Sequence, residues 1–325
     1  MNDKSFTLGV LTSGGDAPGM NACIRAVVRT GIANNCRVIG VSNGFDGLIN
    51  GEFRDLGPRD VGGILQRGGT ILQTRRSDLF REARGQREAI RRMNEAGMDG
   101  LVVIGGDGSL NGAFALHNQG IKVIGVPGSI DNDIWGTNIS IGVDTAMNTI
   151  MEAVDKLRDT ASSHGRAFLI ETMGRGSGYL AAMAGIVCGA EIILIPEVQI
   201  TVEEVADAIE DAYKRGKTHA IIINAEGSGH KTAELAQALD DMDVGFKTRV
   251  TILGHIQRGG SPTAYDRLLA SQMGVKAVEG LLAGTSGMMT GLKGRGVDYV
   301  ALEEVLSHKR TVNLDYYNMA RTLAR

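Results

Sequence analysis

The sequence predicts a two-domain α/β protein whose parallel sheets are covered by helices on both faces. Three observations carry that expectation. Short apolar runs rich in β-branched residues recur at 8–11, 37–41, 101–104, 122–126, 167–170, 191–195, 220–223 and 250–253, and each reads as a buried strand. Longer stretches with helical periodicity lie between them. The 325 residues amount to about two domains of roughly 150 each. The 46 glycines, against 5 prolines, fall singly or in pairs at the ends of apolar runs, as tight strand-to-helix turns require.

Taken in order, the run at 8–11 leads through Thr12-Ser13-Gly14-Gly15-Asp16 into an amphipathic helix at 21–33. After the run at 37–41 comes a helix at 84–96, and the run at 101–104 ends in Gly105-Gly106-Asp107-Gly108-Ser109 before a helix at 110–116. The run at 122–126 leads into Pro127-Gly128-Ser129-Ile130-Asp131-Asn132-Asp133 and a helix at 145–160. Thr201 followed by Glu204 is a capping box for a helix with Val202, Val205, Ile209, Ala212 and Tyr213 on one side. The run at 250–253 is followed by Gly254-His255-Ile256-Gln257-Arg258-Gly259-Gly260 and a helix at 265–282. Ligands of parallel sheets bind beyond the carboxyl ends of the strands, where four glycine-rich, polar loops are more than turn chemistry alone explains. No low-complexity linker or internal repeat marks a domain boundary.

With 43% hydrophobic and 22% charged residues, the chain is expected to fold in water, and no apolar run approaches the ~20 residues of a spanning helix. The balance of 34 basic and 37 acidic residues, net −3, lacks the excess expected of a nucleic-acid or membrane-surface binder. An anionic ligand must then be met by a local cluster of arginines. The start, Met1-Asn2-Asp3-Lys4, has no signal-peptide character, so a cytoplasmic location is expected. Cys23, Cys36 and Cys188 show no metal or redox spacing and read as buried free thiols.

Gly105-Gly106-Asp107-Gly108-Ser109 places a carboxylate among glycines at a helix start, where backbone N–H groups cradle phosphate oxygens and the Asp can hold Mg²⁺. The alternative is an ordinary strand-to-helix turn. Asp131-Asn132-Asp133 sets two carboxylates two residues apart, suited to taking a hydroxyl proton or holding a metal, or to a solvated Asx turn. Ser129 stands near enough in sequence to bond the same substrate. Arg76, Arg166, Arg175 and Arg258 stand beside Gly, Ser or Thr, and Arg249 opens a strand; their guanidinium forks suit phosphate, although any one alone reads equally as a surface charge. His255 has no second histidine at ligand spacing, which favours a hydrogen bond over metal ligation. Gly216-Lys217-Thr218 is a P-loop decoy, since the earlier glycine it needs is Asp211, and Asn111 spoils a dinucleotide fingerprint.

In this order, Leu11–Gly19, Val102–Ser109, Ile130–Asp133 and Leu253–Pro262 resemble the bacterial-type ATP-dependent 6-phosphofructokinase family, with similarity from Gly9 to about Gly284. The resemblance implies two Rossmann-like three-layer α/β domains with mainly parallel sheets and the active site in the interdomain cleft. It places an ATP-binding domain at 1–141 plus 257–307 and a fructose-6-phosphate-binding domain at 142–256 plus 308–325. The implied reaction is transfer of the ATP γ-phosphoryl group to the 1-hydroxyl of fructose 6-phosphate, with Mg²⁺. By resemblance Asp131 is the base and Asp107 organises the metal. Gly15, Arg76, Ser77, Gly106, Asp107, Gly108 and Ser109 hold ATP, while Arg76 and Arg175 stabilise the transferring group. Ser129, Ile130, Asp133, Met173, Gly174, Arg175, Glu226, His255, Ile256, Gln257 and Arg258 meet the sugar phosphate. Arg166 and Arg249 match arginines that reach the 6-phosphate from a neighbouring subunit, implying a homotetramer.

Pyrophosphate-dependent relatives typically carry Asp and Lys where this chain has Gly108 and Gly128, which points to ATP as donor. Arg25, Arg29, Arg158, Glu191, Arg215 and Lys217 fit the family's effector site, whereas the segment from Asp55 to Gly63 departs from it, with Pro58 and Gly62-Gly63 where an Arg and Ser-Asp are usual. Ser129 stands in place of Thr, Arg75 is an added arginine, and Tyr179 replaces a frequent Asp. The rival readings are a pyrophosphate-dependent enzyme, an NAD or lipid kinase sharing the Gly-Gly-Asp-Gly loop, and a non-catalytic sugar-phosphate sensor. The loops at Ile130–Asp133 and Gly254–Gly260 weigh against the second, and the intact Asp107, Asp131 and Asp133 set against the third.

Overall fold

Strand β1 (Thr7–Ser13) is buried at every position, which is why its sequence shows no polar alternation: both faces of the sheet are covered. It pairs in parallel with β2 (Arg37–Val41) and β4 (Gly100–Gly105), and β4 pairs in parallel with β5 (Val123–Pro127). Two antiparallel edges complete this sheet, β3 (Phe53–Asp55) on β2, and β11 (Gly296–Ala301) on β10 (Met288–Lys293), which itself lies parallel to β5. The seven strands run in the order β11-β10-β5-β4-β1-β2-β3. A second sheet, all parallel, runs β7-β8-β6-β9 from Ile192–Leu194, Ala220–Ala225, Arg166–Thr172 and Lys247–Ile252.

The computed structural model describes residues 5–324 and divides into two units. One holds the chain through Ile130 together with Ile134–Thr145 and Arg258–Lys309; the other holds Asp131–Asp133, Ala146–Gln257 and the chain from Arg310. Each sheet lies in one unit and has its own core. In the first, Leu11, Val41, Leu101, Val103 and Leu110 pack with Phe45, whose ring stacks on Phe80 at 4.1 Å. In the second, Leu169, Ile222, Val205 and Ile209 form the centre.

The helices are α1 (Met20–Ala33), α2 (Gly44–Asn50), α3 (Ala83–Glu95), α4 (Asp107–His117), α5 (Val143–His164), α6 (Tyr179–Val187), α7 (Val202–Lys214), α8 (Thr232–Asp241), α9 (Ala264–Leu282), α10 (Leu302–Ser307) and α11 (Leu314–Leu323). The capping box opens α7 as the sequence predicts, with Glu204 N donating to the Thr201 hydroxyl at 3.2 Å and Thr201 N to the Glu204 carboxylate at 2.8 Å. Three expectations need correction. The strand expected at 250–253 spans Lys247–Ile252, because it is an edge strand exposed along much of its length and pairs from Arg166↔Lys247 onward. Strands β3, β10 and β11 have no counterpart among the apolar runs; β3 has three residues, and β11 is exposed or half-buried at every position but the buried Val300. Helix α4 starts at Asp107, before the expected position 110, so Asp107-Gly108-Ser109 already lie in its first turn.

Asp266, fully buried in the first turn of α9, accepts from the backbone N–H groups of Gly142 (2.9 Å) and Thr145 (2.8 Å) and from the Thr145 hydroxyl (2.6 Å). It thereby ties the start of α5 to the start of α9. Burial pushes its carboxyl up to about 6, outweighing the three hydrogen bonds, which pull it down. An unfolded Asp titrates near 3.9, so between about pH 4 and 6 the folded chain holds a proton that the unfolded chain has lost. Stability therefore falls as pH rises through that window, by about 3 kcal/mol for this group. Urea titrations should show the stability difference between wild type and Asp266→Asn shifting against wild type by about that amount from pH 4 to pH 7. A difference that moves the other way would mean the three donors outweigh burial.

No helix among the described residues is long and apolar enough to cross a membrane. Cys23, Cys36 and Cys188 are buried and free, and burial raises all three thiols.

Candidate active site

In the first unit the parallel register sets Ser13 beside Gly105 and Gly105 beside Pro127, so the loops after β1, β4 and β5 leave the sheet side by side. Gly128 N donates to Gly105 O at 2.9 Å, joining two of them directly. The guanidinium of Arg258 lies close against Gly15, where a Cβ would force it to shift. Asp107 is the first residue of α4, exposed, and Asn111 Nδ2 donates to its backbone oxygen (3.1 Å) and carboxylate (3.3 Å). The first N–H groups of a helix have no carbonyl partner within it and carry the positive end of its dipole.

The Thr74 hydroxyl donates to Gly14 O at 2.7 Å, tying the segment around residue 74 to the first glycine loop. The added arginine, Arg75, pairs with Asp46 at 3.3 Å, while Arg76 is exposed. Ser77 accepts from Phe80 N at 3.4 Å. Ser109 is buried, Gly108 exposed, and Ser129 follows β5 with its backbone N–H on Ile141 O at 3.1 Å. Ile130 is 3% exposed and joins the core, so its backbone is what it can offer a ligand.

In the second unit Asp131 is buried and pairs with Arg175, Nε to Oδ2 at 3.5 Å; the arginine side chain is 57% exposed. Arg175 has φ 51° and Gly174 φ 141°. The Glu226 carboxylate accepts from both backbone N–H groups, at 2.7 Å and 3.2 Å respectively, and so holds this unusual bend. A Cβ on Gly227 would collide with Arg175 O. Met173 N donates to the fully buried Gln257 side chain at 3.2 Å, and Gln257 Nε2 to Gly254 O at 2.9 Å, while His255 and Ile256 are exposed. Asp133 is half-buried. Arg166 and Arg249 lie on neighbouring strands, and the pairing of Phe168 with Arg249 puts both arginines on one face.

The residues matched to an effector site divide between the units. Arg25 and Arg29 lie on α1, whereas Arg158, Glu191, Arg215 and Lys217 belong to the second unit. Lys217 bonds Glu191 and Ala324 O, each at 3.1 Å, Arg158 donates to Cys188 O, and Arg215 pairs with Asp211 at 3.0 Å.

One residue of this region, Arg310, is absent from the sequence-based expectations, and it meets Asn132 and Tyr179. Arg310 Nη1 donates to Asn132 Oδ1 at 3.1 Å, and its guanidinium lies 5.7 Å from the centre of the Tyr179 ring. Their separation along the chain, 178 residues, leaves no local signal that could have joined them. No group of three or more His, Cys, Asp or Glu side chains arranged for a metal occurs among the described residues. A metal here would rest on Asp107 and on a ligand's own oxygens.

A family profile described as phosphofructokinase matches residues 7–281. The chain is 52% identical over 318 residues to an ATP-dependent 6-phosphofructokinase of Thermotoga neapolitana, covering 98% of this chain and 99% of the relative. A protein of the same name from Halothermothrix orenii is 49% identical, with 98% and 99% covered. Among solved structures, a phosphofructokinase from Saccharomyces cerevisiae superposes with a TM-score of 0.87 at 37% identity, over 98% of this chain and 48% of that longer one. A pyrophosphate-dependent phosphofructokinase from Marinobacter aquaeolei shares the fold, with a TM-score of 0.84 at 22% identity over 96% of this chain and 86% of that one. With its glycine loops, aspartates and arginines at the strand ends of two α/β units, the chain belongs to the phosphofructokinase family.

Proposed function

We propose that the chain transfers the γ-phosphoryl group of ATP to the 1-hydroxyl of D-fructose 6-phosphate, giving fructose 1,6-bisphosphate and ADP. The observation that carries the chemistry is Asp131, a buried carboxylate with a guanidinium counter-charge 3.5 Å away. In our reading Asp131 takes the proton of the attacking hydroxyl, and Arg76 and Arg175 meet charge on the equatorial oxygens of the transferring group. The glycine loops of the first unit, with the start of α4, hold the nucleotide phosphates. Asp133, Met173, Glu226, His255 and Arg258 hold the sugar phosphate.

Asp107 fits Mg²⁺, which commonly binds through one or two carboxylates plus substrate phosphates, and the ion supplies neutralisation of phosphate charge when bound. ATP is the better donor reading because a side chain at position 108 would meet nothing within 4 Å. The space is open, and glycine leaves it uncharged. Relatives about half identical over nearly the whole chain carry the ATP-dependent name. We also propose self-association as a homotetramer with Arg166 and Arg249 serving a neighbouring copy. Supporting it, β9 is an edge strand with Val250 37% and Ile252 60% exposed. Three buried free thiols suit a reducing compartment, the cytoplasm.

A coupled assay of fructose 1,6-bisphosphate formation, with ATP and pyrophosphate side by side at several magnesium concentrations, tests the reading. Product with ATP and none with pyrophosphate is expected. Activity with pyrophosphate would overturn the donor assignment, and silence with both, from folded protein, would overturn the acceptor.

A further inference from the structure

Asp131–Asp133 is a three-residue stretch of the second unit whose covalent neighbours on both sides, Ile130 and Ile134, belong to the first. It makes side-chain contacts within the second unit. Among these are the Arg175–Asp131 ion pair and the hydrogen bond from Arg310 to Asn132. The two arginines differ in kind. Arg175 is mostly exposed, whereas Arg310 is half-buried, lies over the Tyr179 ring, and is desolvated enough to lower its proton affinity. Asn132 is 1% exposed and has φ 50°, a left-handed conformation in which a non-glycine residue needs support from its surroundings.

We propose that Arg310 is a positioning residue for the phosphoryl-transfer site. Its guanidinium holds the Asn132 amide, and through it the left-handed turn that sets the directions of Asp131 and Asp133. Within the first unit, the ring of Trp135 stacks on that of His308 at 4.7 Å. A guanidinium suits this task because it is planar, permanently charged and able to stack on Tyr179 while donating sideways to an amide. The proposal rests on the assignment of Asp131 as the base.

The test uses the full chain and five variants, Arg310→Gln, Arg310→Lys, Asn132→Gly, the double Arg310→Gln/Asn132→Gly, and Asp131→Asn as a separate arm. Glycine takes φ 50° without strain, so Asn132→Gly removes the amide without forbidding the turn. Arg310→Gln is expected to lower kcat about 10- to 100-fold, the scale of a slight misplacement of a reacting group, with KM for fructose 6-phosphate changing less than about threefold. Arg310→Lys, a point charge without the fork, should recover only part of that loss. Asn132→Gly is expected to lower kcat in the same direction with an unchanged urea transition. Trp135, the single tryptophan of the chain, should keep its emission, which reports that the neighbouring backbone is intact.

The double variant is expected to be no slower than the slower single, since both remove one interaction. Losses that multiply, or an Arg310→Gln kcat equal to wild type while Asp131→Asn is inactive, would overturn the positioning role alone. Wild-type turnover in Asp131→Asn would instead overturn the base assignment, and with it the reason for positioning the turn.

Discussion

Asp131→Ala should lower turnover by about 10² to 10⁴, the usual contribution of a general base, while the dissociation constant of fructose 6-phosphate changes far less. The asymmetry follows from the site. Asp131 is buried. Arg175, its partner, is 57% exposed and can be solvated when the counter-charge is gone. Removal therefore need not leave a buried uncompensated charge, the event that makes breaking an interior ion pair so costly. Steady-state kcat together with calorimetric titration of fructose 6-phosphate separates the effects. Comparable losses of binding and turnover would assign Asp131 to substrate binding rather than to proton transfer.

Gly108→Asp should weaken ATP by up to about a thousandfold while the fold remains intact. Position 108 is the second residue of α4, and a Cβ there meets nothing within 4 Å, so the side chain enters open space. A carboxylate in the first turn also complements the helix dipole, worth roughly 0.3–1 kcal/mol in favour of the folded state. Against a nucleotide phosphate about 4 Å away, the new charge costs about 4 kcal/mol at an effective dielectric constant near 20, which is about three decades in affinity. Kinetics with ATP and pyrophosphate, alongside thermal midpoints, would separate loss of the donor from loss of the fold. An unchanged KM for ATP in the variant would show that residue 108 does not decide the donor.

Much of the architecture was legible because buried parallel strands lack polar alternation. The runs at 8–11, 101–104 and 220–223 lie within β1, β4 and β8, all buried throughout. What escaped was exposed or short. Strand β9 begins with Lys247-Thr248-Arg249, whose pattern is set by its edge position, and β11 is recognisable only once β10 lies beside it. At the candidate site, residue types and their order were readable: glycines at strand ends, an Asp at a helix start, a pair of aspartates on a loop.

The sequence by itself determined the α/β class and the family, along with the loops that can meet phosphate, because these depend on local periodicity and short motifs. Only the tertiary structure decided the partners. It joined Arg175 to Asp131, folded Glu226 back onto the bend at residues 174–175, and set Asp266 against the start of α5. It also brought Arg310 to Asn132 across 178 residues. Each of those contacts depends on where remote segments arrive after the sheets have formed. A polar side chain carries no mark in the sequence of which distant donor or acceptor will satisfy it.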